Sequence, residues 1–204
     1  IGSDASTFKD AAVAALKLAQ KAMNSGRGLS GRTTGLATID EKTAGLHNSD
    51  LVILAGRPGM GKTSLATNIA FNTAYEHLKQ QRDGGPDSGG CPVAFFSLEM
   101  SADQLATRIL AEQAEISSEN LRSGEIGRDE FIRLSEASQR LADLALYIDD
   151  TPALTIDALR MRARRLKRKN KIGLVVVDYL QLLQGSARSK DNRVNEISEI
   201  SRGL

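Results

Sequence analysis

The run LVILAGRPGMGKTSLATNIA occupies residues 51–70. Its first six residues are almost wholly apolar, the signature of a strand buried on both faces. The next eight, GRPGMGKT (56–63), match G-x-x-x-x-G-K-[ST], the phosphate-binding loop. With glycine at ordinary frequency, a chance match in a chain of this length has odds of roughly 1%. Gly56, Gly59 and Gly61 let the backbone curl so that successive N–H groups point inward around an anion. A helix expected from about Lys62 to Lys79 adds the positive end of its dipole. Arg57, Pro58, Met60 and Ser64 complete the expected nucleotide contact. Lys62 would reach the β- and γ-phosphates, and the Thr63 hydroxyl would bind Mg²⁺. ATP and Mg²⁺ are therefore the expected ligands.

Working outward, three further strands are expected: VAFFSLE (93–99), LALYID (144–149) and IGLVVVD (172–178). Helices separate them. Ser101 with Gln104 forms a capping box that opens one through about Gln113. Others are expected over 128–142 and 155–170. Alternating apolar strands and helices predict an α/β fold, a mostly parallel sheet with helices on both faces. Ligands in such folds bind beyond the carboxyl ends of the strands. Asp178, closing VVVD, stands where a carboxylate would hold the metal. Glu99 stands at another strand end. Its carboxylate there suits either a proton acceptor for an attacking water or an acid stabilised by the helix that follows.

Toward the N-terminus, FKDAAVAALKLAQKAM (8–23) places Val13, Leu16 and Met23 at helical spacing. NSGRGLSGRTTG (24–35) carries four glycines and is expected to be flexible. The organisation expected is a linker helix (1–24), a tether (25–35) and one ATPase domain (36–204). The apolar stripe of the linker helix must be buried somewhere, either back on its own domain or on a neighbouring subunit.

Composition narrows the classes further. The 204 residues carry 27 Lys and Arg against 25 Asp and Glu. Eight of those cations fall between Arg160 and Lys171 with no acid among them, so 19 cations elsewhere face 25 acids. Five Phe, three Tyr and no Trp are few for a protein that binds single strands by base stacking. Cys91 is the one cysteine, which excludes an intrachain disulfide and fits a reducing, cytoplasmic compartment. No apolar run is long enough for a membrane span. His47 and His77 lack companions at metal-ligand spacing and are expected in surface or packing roles.

The segments TGLATIDEKTAGLHNSDLVILAGRPGMGKTSLATNIA (34–70), FFSLEMS (95–101), DDTPALTI (149–156), RARRLKRK (162–169) and VVVDYLQLL (175–183) follow one another as they do in bacterial replicative DNA helicases of the DnaB type. The resemblance runs from about residue 8 to 204. It implies a RecA-like ATPase domain that drives translocation on single-stranded DNA, working as a homo-oligomeric ring, a hexamer, with a primase and a helicase loader as partners. By position it makes Glu99 and Lys62 catalytic, Thr63 and Asp178 the metal-holding pair, and residues 8–23 the helix that packs on the next subunit. QGSARSKDNR (184–193) resembles a central-channel loop, with Arg188, Lys190 and Arg193 placed to meet DNA phosphates. Two departures are expected to limit the chain alone. The family's N-terminal domain is absent, and so are the segments after residue 204 that carry a γ-phosphate sensor, later DNA loops and an arginine finger. Alternative readings are another RecA-like ATPase of the recombination or circadian-clock kind, and a nucleotide-binding assembly module without turnover of its own.

Overall fold

The computed structural model describes residues 7–24, 29–84 and 87–179. Its centre is a parallel sheet of β1 (Val93–Ser97), β2 (Leu146–Asp149) and β3 (Leu174–Asp178) in the order β2-β1-β3. Val93 aligns with Leu146 on one side and Leu174 on the other. β1 is buried along its whole length, as a central strand covered on both faces must be.

Side chains alternate between the two faces. Ala94 and Phe96, with Tyr147 and Val177 from the flanking strands, pack against Ile156, Leu159, Ala163 and Leu166 of α7 (Ile156–Asn170). Val93 and Phe95, with Leu146, Ile148, Leu174 and Val176, pack against Ala70 and Ala74 of α3 (Lys62–Asp83) and Leu105 of α4 (Ala102–Ala114). α5 (Ser118–Ser123) and α6 (Arg128–Arg140) extend this second layer, with Ala137 meeting Ala114 and Ile116. The parallel sheet with helices on both faces is the architecture expected from the alternating pattern.

Two expectations fail in the N-terminal half. LVILAG (51–56) is not a strand. Residues 51–57 have no regular structure, and Leu51, Val52, Ile53 and Leu54 are 43–65% exposed. Apolarity records a preference for burial. A strand also needs a partner edge in register, and among the described residues this run has none.

The second half of the expected tether is packed. Leu29, Thr33 and Thr34 are buried. Thr33 Oγ1 donates to Asp40 Oδ2 at 2.5 Å, while Thr34 N and Oγ1 donate to Asp40 Oδ1 at 2.8 and 2.7 Å. Asp40 lies on α2 (Ala37–Thr43), a helix too short to leave a periodic signal in the sequence. Arg32 and Leu46 exchange both backbone hydrogen bonds, and Thr73 Oγ1 on α3 donates to the Thr33 carbonyl at 2.7 Å. Glycine-rich composition suggests freedom; here it permits close packing. Gly89 and Gly90 are buried likewise, and a Cβ at Gly90 would stand 2.2 Å from the His77 backbone nitrogen on α3.

α1 (Phe8–Asn24) forms where its periodicity predicts. Phe8, Val13, Leu16 and Met23 on it are solvent-facing, with Phe8 89% and Met23 83% exposed.

Candidate nucleotide site

α3 begins at Lys62, and Gly61 caps it in the left-handed region at φ 78°. Gly59 is also left-handed, at φ 77°. Residues with a Cβ are strained there, which explains glycine at both loop positions. The helix has no side-chain cap and no acid in its first turn. Its first N–H groups, the positive end of 22 residues of aligned peptide dipoles, are therefore left for an anion.

The loop from Gly56 to Gly61 is exposed. Lys62 Nζ folds over it and donates to the Gly56 and Arg57 carbonyls at 2.9 and 3.2 Å. Those bonds use two of the three ammonium donors and hold the charge over the loop. Thr63 is half-buried, and its carbonyl accepts from Thr67 Oγ1 at 2.7 Å. Ser64 is exposed, with Arg108 Nη1 of α4 at 3.5 Å from its hydroxyl.

Asp178 closes β3 and is 5% exposed. Its Oδ2 is buried and has no hydrogen-bond partner among the described residues. An isolated buried carboxylate is costly and calls for a compensating charge. A divalent cation with a preference for oxygen meets that need, and the residues fit Mg²⁺. Mg²⁺ is typically held by only one or two carboxylates with waters and substrate phosphates. It therefore does not require a cluster of three or more His, Cys, Asp or Glu, and no such cluster exists among the described residues.

Glu99 sits in the turn between β1 and α4, at the same carboxyl edge, and is exposed. The Leu98 N–H on that turn donates to the Asp178 carbonyl at 2.7 Å. β2 ends at this edge in Asp149, which accepts from Arg162 Nη1 at 2.7 and 2.9 Å and from Thr151 Oγ1 at 2.7 Å. Burial works against ionisation of Asp149, but the Arg162 and Thr151 hydrogen bonds prevail and hold its carboxyl below the usual aspartate range. The next residue, Asp150, accepts from the Ala102 N–H through Oδ2 at 2.8 Å. Sequence reasoning missed Asp150 and Arg162. The pair of acids at a strand end was the available signal.

Other expected positions fall elsewhere. The His47 ring shares a hydrogen bond with Ser30 Oγ at 2.7 Å. His77 lies beside Gln81, its pKa lowered by burial and by Arg32. Of the α7 cations, Arg162 binds Asp149 and Lys167 Nζ donates to the Ile172 carbonyl at 2.7 Å. Arg160, Arg164, Arg165, Arg168 and Lys169 are exposed. Arg188, Lys190 and Arg193 lie outside the described residues. No helix among the described residues is long and apolar enough to cross a membrane.

A glycine loop at a helix N-terminus, in a parallel α/β fold whose strand-end acid has a buried oxygen unpartnered among the described residues, defines a nucleotide-binding α/β domain. Comparison with known proteins narrows this. Residues 31–204 match the DnaB-like helicase C terminal domain, and the chain belongs to that family. It is 51% identical over 185 residues to the replicative DNA helicase DnaB of Rickettsia typhi, covering 90% of this chain and 36% of that protein. It is 43% identical over 176 residues to replicative DNA helicase DnaB of Geobacillus stearothermophilus, covering 86% and 36%. The chain thus spans little more than a third of the curated relatives it matches. Among solved structures, one ATPase domain superposes with a TM-score of 0.81 at 27% identity, over 98% of this chain and 66% of that one. A DnaB-like replicative helicase studied for its interactions with primase gives 0.73 at 28%, over 86% and 41%.

Proposed function

We propose that this chain is the ATPase core of a replicative DNA helicase, hydrolysing ATP to drive translocation on single-stranded DNA and separation of the duplex. The observation that carries this is the uncapped N-terminus of α3 behind the glycine loop, in a fold whose β3 ends in Asp178, its buried Oδ2 without a hydrogen-bond partner among the described residues. Family membership supports the same reading.

In this account the N–H groups of Gly59 to Ser64 cradle the β-phosphate, and Lys62, which donates to the Gly56 and Arg57 carbonyls, turns to the β- and γ-oxygens. The Thr63 hydroxyl and the Asp178 carboxylate would hold Mg²⁺, which would supply positive charge to the transferring phosphoryl group. Glu99 orients the attacking water and accepts its proton. ADP and phosphate are the products.

The primase of a solved neighbour suggests a primase partner here, with a helicase loader beside it. A homo-hexamer around single-stranded DNA suits the family, with Arg188, Lys190 and Arg193 meeting phosphates in the channel. The exposed stripe of α1 supports docking on a neighbouring copy.

Phosphate release, measured with and without single-stranded DNA, tests the function. DNA-stimulated turnover is the expected result in the full-length protein. Nucleotide binding with no turnover under either condition would favour the assembly-module reading.

A further inference from the structure

Among the described residues the Glu99 carboxylate has no hydrogen-bond or ion-pair partner. What the fold fixes is the backbone turn from which the side chain starts, and so the space its carboxylate can reach. Four hydrogen bonds pin that turn. Ser97 Oγ donates to the Met100 carbonyl at 2.6 Å, closing a loop around Glu99. Leu98 N donates to the Asp178 carbonyl. Ser101 N donates to Gln104 Oε1 at 3.1 Å, within the capping box. The fourth ties the turn to the corner after β2, on the other side of β1 from β3: Ala102 N donates to Asp150 Oδ2 at 2.8 Å, across 48 residues of sequence.

Asp150 is itself firmly placed. Asp149 before it is fastened to α7 by Arg162, and Thr151 after it bonds back to Asp149 through both its N–H and its hydroxyl. The corner at the end of β2 is thus tied to α7, and Asp150 transmits its position to the start of α4. Its charge also suits the positive N-terminus of that helix.

We propose that Asp150 is a positioning residue for Glu99, holding the β1–α4 turn at the distance from β2 that aims the Glu99 carboxylate at the reacting water. This rests on the reading of Glu99 as the proton acceptor. A misplacement of about 1 Å at a reacting group costs up to roughly a hundredfold in rate, so one hydrogen bond outside the site can matter.

The test uses turnover in the full-length protein with Mg²⁺, ATP and single-stranded DNA. Asp150→Ala removes the acceptor, and kcat should fall roughly 10- to 100-fold while KM for ATP stays within about twofold. Asp150→Asn keeps a carbonyl oxygen for the Ala102 N–H and should recover most of the rate. Ala102→Pro removes the donor instead. Ala102 is the first residue of α4, where proline is well tolerated, and Ser101 before it is already extended at ψ 159°. Ala102→Pro should therefore reproduce Asp150→Ala even if the latter folds poorly. Adding Asp150→Ala to Glu99→Gln should cost nothing further, because the two act through one group.

Wild-type kcat in both Asp150→Ala and Ala102→Pro would overturn the proposal, as would an Asp150→Asn variant as slow as Asp150→Ala. If Glu99→Gln is inactive while those two variants keep wild-type rates, only the positioning role falls. If Glu99→Gln itself turns over normally, the proton-acceptor reading falls and takes this role with it.

Discussion

The Leu98 N–H donates to the Asp178 carbonyl at 2.7 Å. This single bond joins the turn that presents Glu99 to the strand end that presents the orphaned carboxylate. It continues the β1–β3 ladder one step past Ser97 and Asp178, which are in register. The spacing between the backbone positions of the two candidate acids is thereby tied to β1, the strand buried along its whole length.

The buried Asp178 Oδ2 predicts a metal-dependent share of nucleotide affinity. Asp178→Asn should abolish the gain in ADP or ATP affinity that Mg²⁺ gives, and leave binding in EDTA unchanged. Calorimetric titration with and without Mg²⁺ reads both. An unchanged Mg²⁺ effect would remove Asp178 from the metal site.

The three hydrogen bonds received by Asp40 predict a structural role for residues 29–46. Asp40→Ala leaves the Thr33 hydroxyl and the Thr34 N–H and hydroxyl without their buried acceptor. The cost should be about 3 kcal/mol, read as a lower urea midpoint. A loss under about 0.5 kcal/mol would mean that this stretch is a tether after all.

How much of this is legible in the sequence follows from how far apart the interacting residues lie. The capping box of Ser101 and Gln104 is local, three residues apart, and can be read directly. So can β1 to β3, whose apolar runs end within two residues of expectation, and the glycine loop, whose chemistry is contiguous. The Thr33–Asp40 and Ala102–Asp150 bonds cannot, because a polar residue does not name its distant partner. The run 51–54 misleads for a related reason: its composition fits a strand, but strand formation depends on an edge elsewhere.

Acid sensitivity should be traceable to Asp149. Its folded pKa lies below its unfolded value, so the unfolded chain binds more protons as pH drops through that interval. The stabilisation is complete above the unfolded aspartate pKa, near about 4, and is lost as pH falls through the lower folded value. Arg162→Met removes the principal partner. Stability of the variant measured against pH should therefore fall less steeply below about pH 4 than that of the wild type. Parallel acid limbs in the two proteins would contradict this.

The exposed apolar side chains of α1 predict weak self-association. Burial of two or three such side chains contributes about 1.5–3 kcal/mol each, before ordering costs. Removing residues 1–24 should shift sedimentation toward monomer at high concentration while nucleotide affinity holds. A chain that is monomeric at every concentration, with or without α1, would contradict docking between copies.

The central claim is that the glycine loop and Lys62 form a nucleotide-phosphate site. Titration of ATP and Mg²⁺ into the wild-type chain and into Lys62→Ala tests it most directly. Among the described residues Lys62 bonds only to exposed loop carbonyls, so its loss should change stability by no more than about 0.5 kcal/mol. The account predicts saturable binding to the wild type and a sharp loss in a Lys62→Ala variant that melts normally. Equal affinity in the two proteins would contradict it.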